Sequence, residues 1–173
     1  MKDYWLAKLM SSVSEVDSRK RLQKAIYLLQ LHGSPLACDY ILHYYGPYSF
    51  ELASLIDQLN NAGIVEETPE PLAPGVVRYK SAVTKPGKEA LAKFEQTDRG
   101  RQLHADIDPF IRQFRDLNGK DPWVLELAAT VAFYHKGDWD EARKQTASFK
   151  KVRVNDAKLK EAVELARRFK QPV

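Results

Sequence analysis

Apolar residues recur at helical spacing along most of the chain, and residues that end helices stand between these runs. Within 18–32, Leu22, Ile26 and Leu29 are four and three positions apart and form one stripe. Gly33 follows the stripe, as is common just past the end of a helix. The pattern therefore predicts a helix over 18–32.

A corner and two further helices are predicted next. Ser34 followed by Pro35 is typical of a helix start and predicts a short helix through Ile41. The run Tyr-Gly-Pro-Tyr-Ser at 45–49 predicts a tight corner, because proline lacks an amide hydrogen and glycine tolerates positive φ. Leucine and isoleucine then return at helical spacing, which predicts a helix over 49–62.

Two β-strands, at 64–67 and 76–83, are predicted after this helix. The loop between them, 68–75, is rich in proline. A helix, a short helix, a long helix and a β-hairpin in this order are typical of a winged helix. We therefore interpret 17–83 as a winged-helix-like core whose hairpin is the wing.

The remainder, 84–173, is predicted to be a wholly helical extension packed on that core. The predicted helices cover about 84–96, 101–117, 123–135, 138–150 and, after an Asn155 cap, 156–169. A break is expected at Pro109 within the second of these, because proline disrupts helix interiors. The third is apolar nearly all round and is placed at the centre of the C-terminal core. The predicted fold class is mainly α with a small β-hairpin wing, in a single compact domain over 1–173.

Four motifs resemble those of a known family. They are Arg21-Leu22-Gln23-Lys24, Tyr45-Gly46-Pro47-Tyr48-Ser49, Leu59 leading to Gly63-Ile64-Val65, and Leu125-Glu126-Leu127-Ala128-Ala129-Thr130. They are similar to motifs of bacterial and archaeal YwgA-like proteins and, more distantly, of the Panacea-type antitoxin domain. The resemblance covers roughly 19–67 well and 121–166 loosely. Arg21 stands where the pattern has lysine, which keeps the charge but changes the donor geometry.

The resemblance implies a role in binding and brings no catalytic residue. YwgA-like proteins have no established activity, whereas Panacea-bearing proteins neutralise toxins by protein contact. A protein partner is accordingly the favoured interpretation, of antitoxin or adaptor type.

The distribution of charge argues against a conventional DNA-binding winged helix. The chain has a formal net charge of +4 and a pI near 9.1, which would permit nucleic-acid binding. The helix that would enter a major groove, however, has only acidic and neutral residues off its apolar stripe: Glu51, Ser54, Asp57, Gln58 and Asn61. Because basic contacts to phosphate supply most non-specific affinity, we expect weak, sequence-independent DNA binding at most.

Positive charge collects instead near the C terminus. Between 140 and 173 the chain has ten lysines and arginines against five acids, a surplus of five. Such runs usually form a solvated helix face. They also allow a second interpretation, a DNA-binding transcriptional regulator that uses basic residues in place of the recognition helix. These residues form a basic patch on the C-terminal helices, Arg143, Lys144, Lys150, Lys151 and Arg153, and a second cluster from Arg19 to Lys24.

Aromatic residues surround the predicted corner. We call Tyr44, Tyr45, Tyr48 and Phe50 the aromatic corner. Such side chains are favoured at protein interfaces, although they also brace folds. With the exposed residues of the following helix named above, the aromatic corner is the predicted partner-binding surface.

The sequence predicts no catalytic residue, metal site or cofactor. Its four histidines lack ligand spacing, and its single cysteine, Cys38, excludes an internal disulfide and fits a cytoplasmic protein. No run is long and apolar enough to predict a membrane span. Glu126 lies in the apolar helix and must be paired if buried, most simply with Lys24, Arg21 or a backbone donor. Such a pair would tie the two halves of the chain together.

Overall fold

Helices dominate the structure, a computed structural model that describes residues 1–171. Over these residues it contains eight α-helices and two antiparallel β-hairpins, which confirms the mainly α class with a small wing. The elements in chain order are α1 (Lys2–Ser11), α2 (Arg19–Leu31), β1 (Ile41–His43), β2 (Gly46–Tyr48), α3 (Phe50–Asn61), β3 (Val65–Ala73), β4 (Val76–Val83), α4 (Lys85–Phe94), α5 (Asp98–Asn118), α6 (Pro122–Tyr134), α7 (Trp139–Lys150) and α8 (Ala157–Phe169).

Serine caps begin the two long helices of the N-terminal part. The Ser18 side chain accepts a hydrogen bond from the Arg21 amide at the start of α2. Ser49 does the same for the Leu52 amide at the start of α3. Helix α1, which was not predicted, precedes them and packs against α3, α4 and α5.

The predicted short helix from Ser34 to Ile41 is wrong. Residues 34–40 are irregular, and the chain then forms strand β1, which pairs with β2. The Gln30 side chain donates to the Cys38 carbonyl at 3.0 Å and accepts from the Cys38 amide at 2.8 Å. These bonds satisfy the backbone of Cys38 from a neighbouring helix and hold the segment in a non-helical conformation.

The wing is longer than predicted. Its strands pair from Val65 opposite Val83 to Ala73 opposite Val76, so the predicted loop over 68–75 is mostly strand, with an irregularity near its tip. Strand β3 runs through Pro69 and Pro71. In a two-stranded hairpin each strand has an outer edge, where the missing amide hydrogen of a proline removes no pairing bond.

Helix α5 runs from Asp98 to Asn118 without interruption, so the predicted break at Pro109 is wrong. Pro109 is exposed, whereas Ile107 and Phe114 on either side of it are fully buried. Packing on both sides of the proline therefore keeps the helix continuous. The cap of α8 is likewise Asp156 rather than Asn155, since its side chain accepts from the amides of the first turn.

Helix α6 lies at the centre, as predicted. Every residue from Val124 to Ala132 is buried. It packs against α7, α8, α2 and β2. Through α6, the helical extension meets the winged-helix-like part. Within residues 1–171, no helix is both long and apolar enough to cross a membrane.

Candidate functional site

The aromatic corner lies on the β1–β2 hairpin and the first turn of α3. The side chains of Tyr44, Tyr45 and Phe50 are strongly exposed, at 84%, 57% and 68%. Tyr48 is half-buried, and its ring meets Phe50 edge-on with centroids 5.1 Å apart. Ile41, also exposed, extends the apolar surface. The corner therefore presents large apolar groups to solvent.

Hydrogen bonds from α2 hold this hairpin in place. The Gln23 amide group donates to the Ser49 carbonyl and accepts from the Ser49 amide, both at 2.8 Å. The Lys24 Nζ donates to the Pro47 carbonyl at 2.7 Å. Gln23, Lys24 and Ser49 are all buried, so these bonds fix the backbone that carries the exposed rings.

Gly46 allows the β1–β2 hairpin to pack closely against α6. Its φ is +90°, and a Cβ at this position would lie 2.6 Å from Thr130 Oγ1 and 3.7 Å from Lys24 Cε. Only glycine fits such a close approach at positive φ. Three of the motifs noted in the sequence thus meet here: those containing Lys24, Gly46 and Thr130. The sequence did not predict their contact, although all three carried the same family resemblance.

Glu126 is buried and paired, as predicted, but with other partners. Its side chain is 6% exposed and accepts from Lys150 Nζ at 2.7 Å and from Lys20 Nζ at 3.4 Å. Lys24 does not pair with Glu126; its ammonium group donates to the Pro47 carbonyl of the corner hairpin. Arg21 donates to the carbonyls of Asn118 and Lys120 at the end of α5. The contact with Lys20 of α2 therefore ties the two halves of the chain, whereas Lys150 of α7 belongs to the same half as Glu126.

Positive charge exceeds negative charge around Glu126. Burial lowers the pKa of Lys24 from 10.5 to about 8; the charges of Lys150 and Lys20 lower it too, and that of Glu126 opposes the shift. Lys20 also lies 4.2 Å above the ring centroid of Tyr45, a cation–π contact that links the cluster to the aromatic corner.

The predicted partner-binding face of α3 is polar and partly engaged in ion pairs. Glu51 accepts from Lys2 at 2.6 Å, and Asp57 accepts from Arg19 at 2.6 Å. The other members of the face, Ser54, Gln58 and Asn61, are exposed. The face adjoins the aromatic corner through Phe50 and Glu51, so the two parts of the predicted surface are continuous.

The structure separates the predicted basic residues. Lys144, Lys151 and Arg153 are exposed, and Arg143 is half-buried beside Asp140 at 3.1 Å. Lys150 points inward, since its side chain is 6% exposed and faces Glu126. Lys150 therefore belongs to the buried cluster and not to a surface patch.

These features define a mainly helical protein with a β-hairpin wing and an exposed aromatic corner held by α2 and α6. No model of a known protein family matches the chain. The chain is similar to the "Uncharacterized protein YwgA" of Bacillus subtilis (strain 168), with 30% identity over 169 residues, 96% of this chain and 95% of that protein. It belongs to the YwgA family.

Proposed function

We propose that this protein is a non-catalytic recognition protein that binds a protein partner through its aromatic corner and the adjoining face of α3. The observation that carries the proposal is the exposure of Tyr44 and Tyr45 on a hairpin that buried hydrogen bonds hold in place, together with that of Phe50 at the start of α3. Aromatic anchors on a fixed backbone lose little conformational entropy on binding. The site is therefore suited to contact with a folded protein.

An antitoxin- or adaptor-like role is the finer form of this proposal. The motifs that resemble the Panacea-type domain are those that build the corner, at Gln23, Lys24 and Ser49. The cytoplasm is the proposed compartment, since the single cysteine of the chain, Cys38, is buried as a free thiol.

DNA binding through the C-terminal helices is the less supported alternative. Only part of the predicted basic patch is exposed, and Lys150 is turned inward. On α3 the acidic Glu51 and Asp57 face solvent. Phosphate contacts need several free cations on one surface. Strong or sequence-selective DNA binding is therefore not expected.

The test compares two triple variants in partner capture. The first, Tyr44→Ser, Tyr45→Ser and Phe50→Ser, removes the exposed rings of the corner. The matched control, Leu72→Ser, Val76→Ser and Tyr79→Ser, removes three apolar side chains of similar exposure from the wing. Each tagged protein is incubated with lysate of its native host, and co-eluting proteins and nucleic acids are identified. Any captured protein is then purified and titrated against both variants.

We expect the wing variant to retain the partner and the corner variant to lose it at unchanged circular dichroism. Interface anchors typically contribute about 2 kcal/mol or more each, so the loss should exceed a hundredfold in affinity. Retention by the corner variant with loss by the wing variant would overturn the site assignment. If DNA co-elutes with the protein, and if the combined substitutions Lys144→Glu, Lys151→Glu and Arg153→Glu abolish this, the result would instead support the DNA-binding regulator.

A further inference from the structure

A cleft of about 250 Å³ opens beside the aromatic corner, between the first turns of α2 and α6. Lys20, Arg21 and Lys24 line it from α2, and Trp123 and Glu126 line it from α6. The floor is the buried cluster around Glu126, and the mouth lies near the exposed half of Lys20. The cleft is separate from the exposed rings that form the proposed partner surface.

The charge in and under this cleft is not balanced. Glu126 is its only lining carboxylate among residues 1–171. Three ammonium groups surround that carboxylate: Lys20 and Lys150 bond it directly, and Lys24 lies close enough for its charge to act on both. Arg21 also lines the cleft, and Asp17 at 3.8 Å is its counter-charge, so this pair adds nothing to the sum. Three positive charges minus one negative charge leave a surplus of two. Buried or half-buried charge of one sign is costly unless a counter-charge is supplied.

Hydrogen-bond donors in the cleft also exceed acceptors. Lys24 is 1% exposed, and its ammonium group has three N–H bonds. Within the described part of the chain, Pro47 is the one acceptor that this ammonium group contacts. The neighbouring Arg21 is 7% exposed, and its Nε, also buried, has no hydrogen-bond partner in residues 1–171. Both side chains therefore have donor capacity that the protein itself does not use.

The helix ends add to the positive potential. Ser18 is the cap of α2, and Pro122 is the first residue of α6, so both helices direct their N-terminal ends to this cleft. The amide dipoles at such ends favour anions. At α6 the Asp121 carboxylate already accepts from the Trp123 and Val124 amides, whereas the cap of α2 is the neutral Ser18 hydroxyl. Lys20 and Arg21 lie in the first turn of α2, where cations oppose the helix dipole, so an anion in the cleft would stabilise these cations and the dipole of α2.

We propose that the cleft is an anion-binding site whose ligand is a phosphate dianion, either free or carried on a small phosphomonoester. A dianion matches the surplus of two positive charges. Phosphate oxygens accept from several donors at once. Lys20, whose side chain is half-exposed, is the donor at the mouth of the cleft, and the buried ammonium group of Lys24 supplies positive charge below it. The half-buried Trp123 forms an apolar wall beside the charged groups and would contact the organic part of an ester.

Isothermal titration of the full chain with inorganic phosphate in a low-salt buffer tests the proposal. Lys20→Gln is the informative variant, because Lys20 is half-exposed and its removal leaves the Lys150–Glu126 pair intact. Lys158→Gln is the matched control: this lysine is similarly exposed, pairs with Asp121 next to the start of α6 and does not line the cleft. Circular dichroism verifies the fold of both variants.

We expect saturable one-site binding of phosphate, weakened about tenfold by Lys20→Gln and unchanged by Lys158→Gln. The factor corresponds to loss of one charge-assisted hydrogen bond. Sulfate, also a dianion, should compete, whereas acetate should compete poorly. Glycerol phosphate distinguishes the sources: tighter binding than inorganic phosphate indicates an ester ligand, and equal or weaker binding indicates the free ion.

Three results would overturn the proposal. These are the absence of saturable phosphate binding to the parent protein, equal affinity of the parent and Lys20→Gln, and equal weakening by Lys158→Gln. The last result would show that phosphate responds to overall charge and not to this cleft. If free phosphate does not bind, binding of duplex DNA that depends on Lys20 would favour a nucleic-acid surface.

Discussion

Gly46 fixes the aromatic corner to the rest of the molecule through two separate constraints. Its φ of +90° disfavours any residue with a side chain, and Thr130 Oγ1 occupies the space where a Cβ would lie. Gly33, at φ +103°, has the first constraint without the second, since no atom lies within 4 Å of its would-be Cβ. Substitutions at the two glycines can therefore distinguish the cost of a side chain at positive φ from the cost of a steric clash with Thr130.

We predict that Gly33→Ala lowers the free energy of unfolding by about 1 kcal/mol and that Gly46→Ala lowers it by about 3 kcal/mol or more. The additional loss arises because the methyl group that Gly46→Ala introduces would displace α6 or the hairpin. Urea unfolding followed by circular dichroism measures both values. Equal losses for the two variants would contradict the close approach of Gly46 to Thr130.

For Glu126, the sequence predicts burial and pairing but does not predict which residues pair with it. A carboxylate within an apolar helix predicts burial, and burial requires pairing, so a tie between the halves was predictable. The identity of the partners was not, because Lys20 and Lys150 are 106 and 24 positions away from Glu126. Lys150 was predicted to be one of several surface cations. The packing of α7 on α6 instead directs its side chain inward to Glu126.

At the scale of elements, single apolar stripes were the reliable signal. Helices α2 and α3 have such stripes and serine caps, and both were predicted nearly to the residue. Helix α1 buries six of its ten residues, on more than one face, so it has no single stripe to detect. The β1 and β2 strands have three residues each, and their position depends on side chains of α2.

Pro109 shows tertiary packing overriding a local preference. A proline in a helix interior removes one backbone hydrogen bond and crowds the preceding turn, which is why the sequence predicted a break. Helix α5 nevertheless continues for 21 residues, with its buried face packed against α1 and α2. The local cost of Pro109 is therefore offset by burial of residues on both sides.

We predict that Pro109→Ala raises the free energy of unfolding by about 1 kcal/mol or more, because alanine restores the amide donor at an exposed position and has the higher helix propensity. The gain is smaller than the full proline penalty, since alanine also gives the unfolded chain more freedom. Asp108→Ala serves as the control for a change at the neighbouring exposed position. A lower stability of Pro109→Ala than of the parent would show that the proline is favourable where it stands.

At the scale of the whole molecule, the two predicted parts share their interior. Trp5 of α1 donates to the Leu103 carbonyl of α5 at 3.0 Å, Arg21 of α2 bonds the end of the same helix, and Glu126 links α2 to α7. The division into 17–83 and 84–173 rested on element type alone. The contacts of Arg21 and Lys20 cross that boundary, and the Trp5 contact joins the preceding helix α1 to α5. All three would be broken if either part unfolded separately.

We therefore predict that the chain unfolds in one cooperative transition. The three tryptophans give local probes: Trp5 reports on the α1–α5 contact, Trp123 on the start of α6 and Trp139 on α7. In three variants that each keep a single tryptophan and replace the other two by phenylalanine, urea unfolding is followed by fluorescence and by far-UV circular dichroism. Within each variant the two curves should coincide, because loss of one part removes the buried partners of the other.

Comparing two probes within one variant controls for the stability lost through the tryptophan replacements. Each variant shifts its own midpoint, but a two-state protein keeps its fluorescence and circular dichroism curves superimposed. Fluorescence of Trp139 that changes before the circular dichroism, with fluorescence of Trp5 that changes after it, would show that α7 unfolds before the α1–α5 contact is lost. The chain would then unfold in more than one step, and the contacts made by Arg21 and Glu126 would contribute too little to couple its helices.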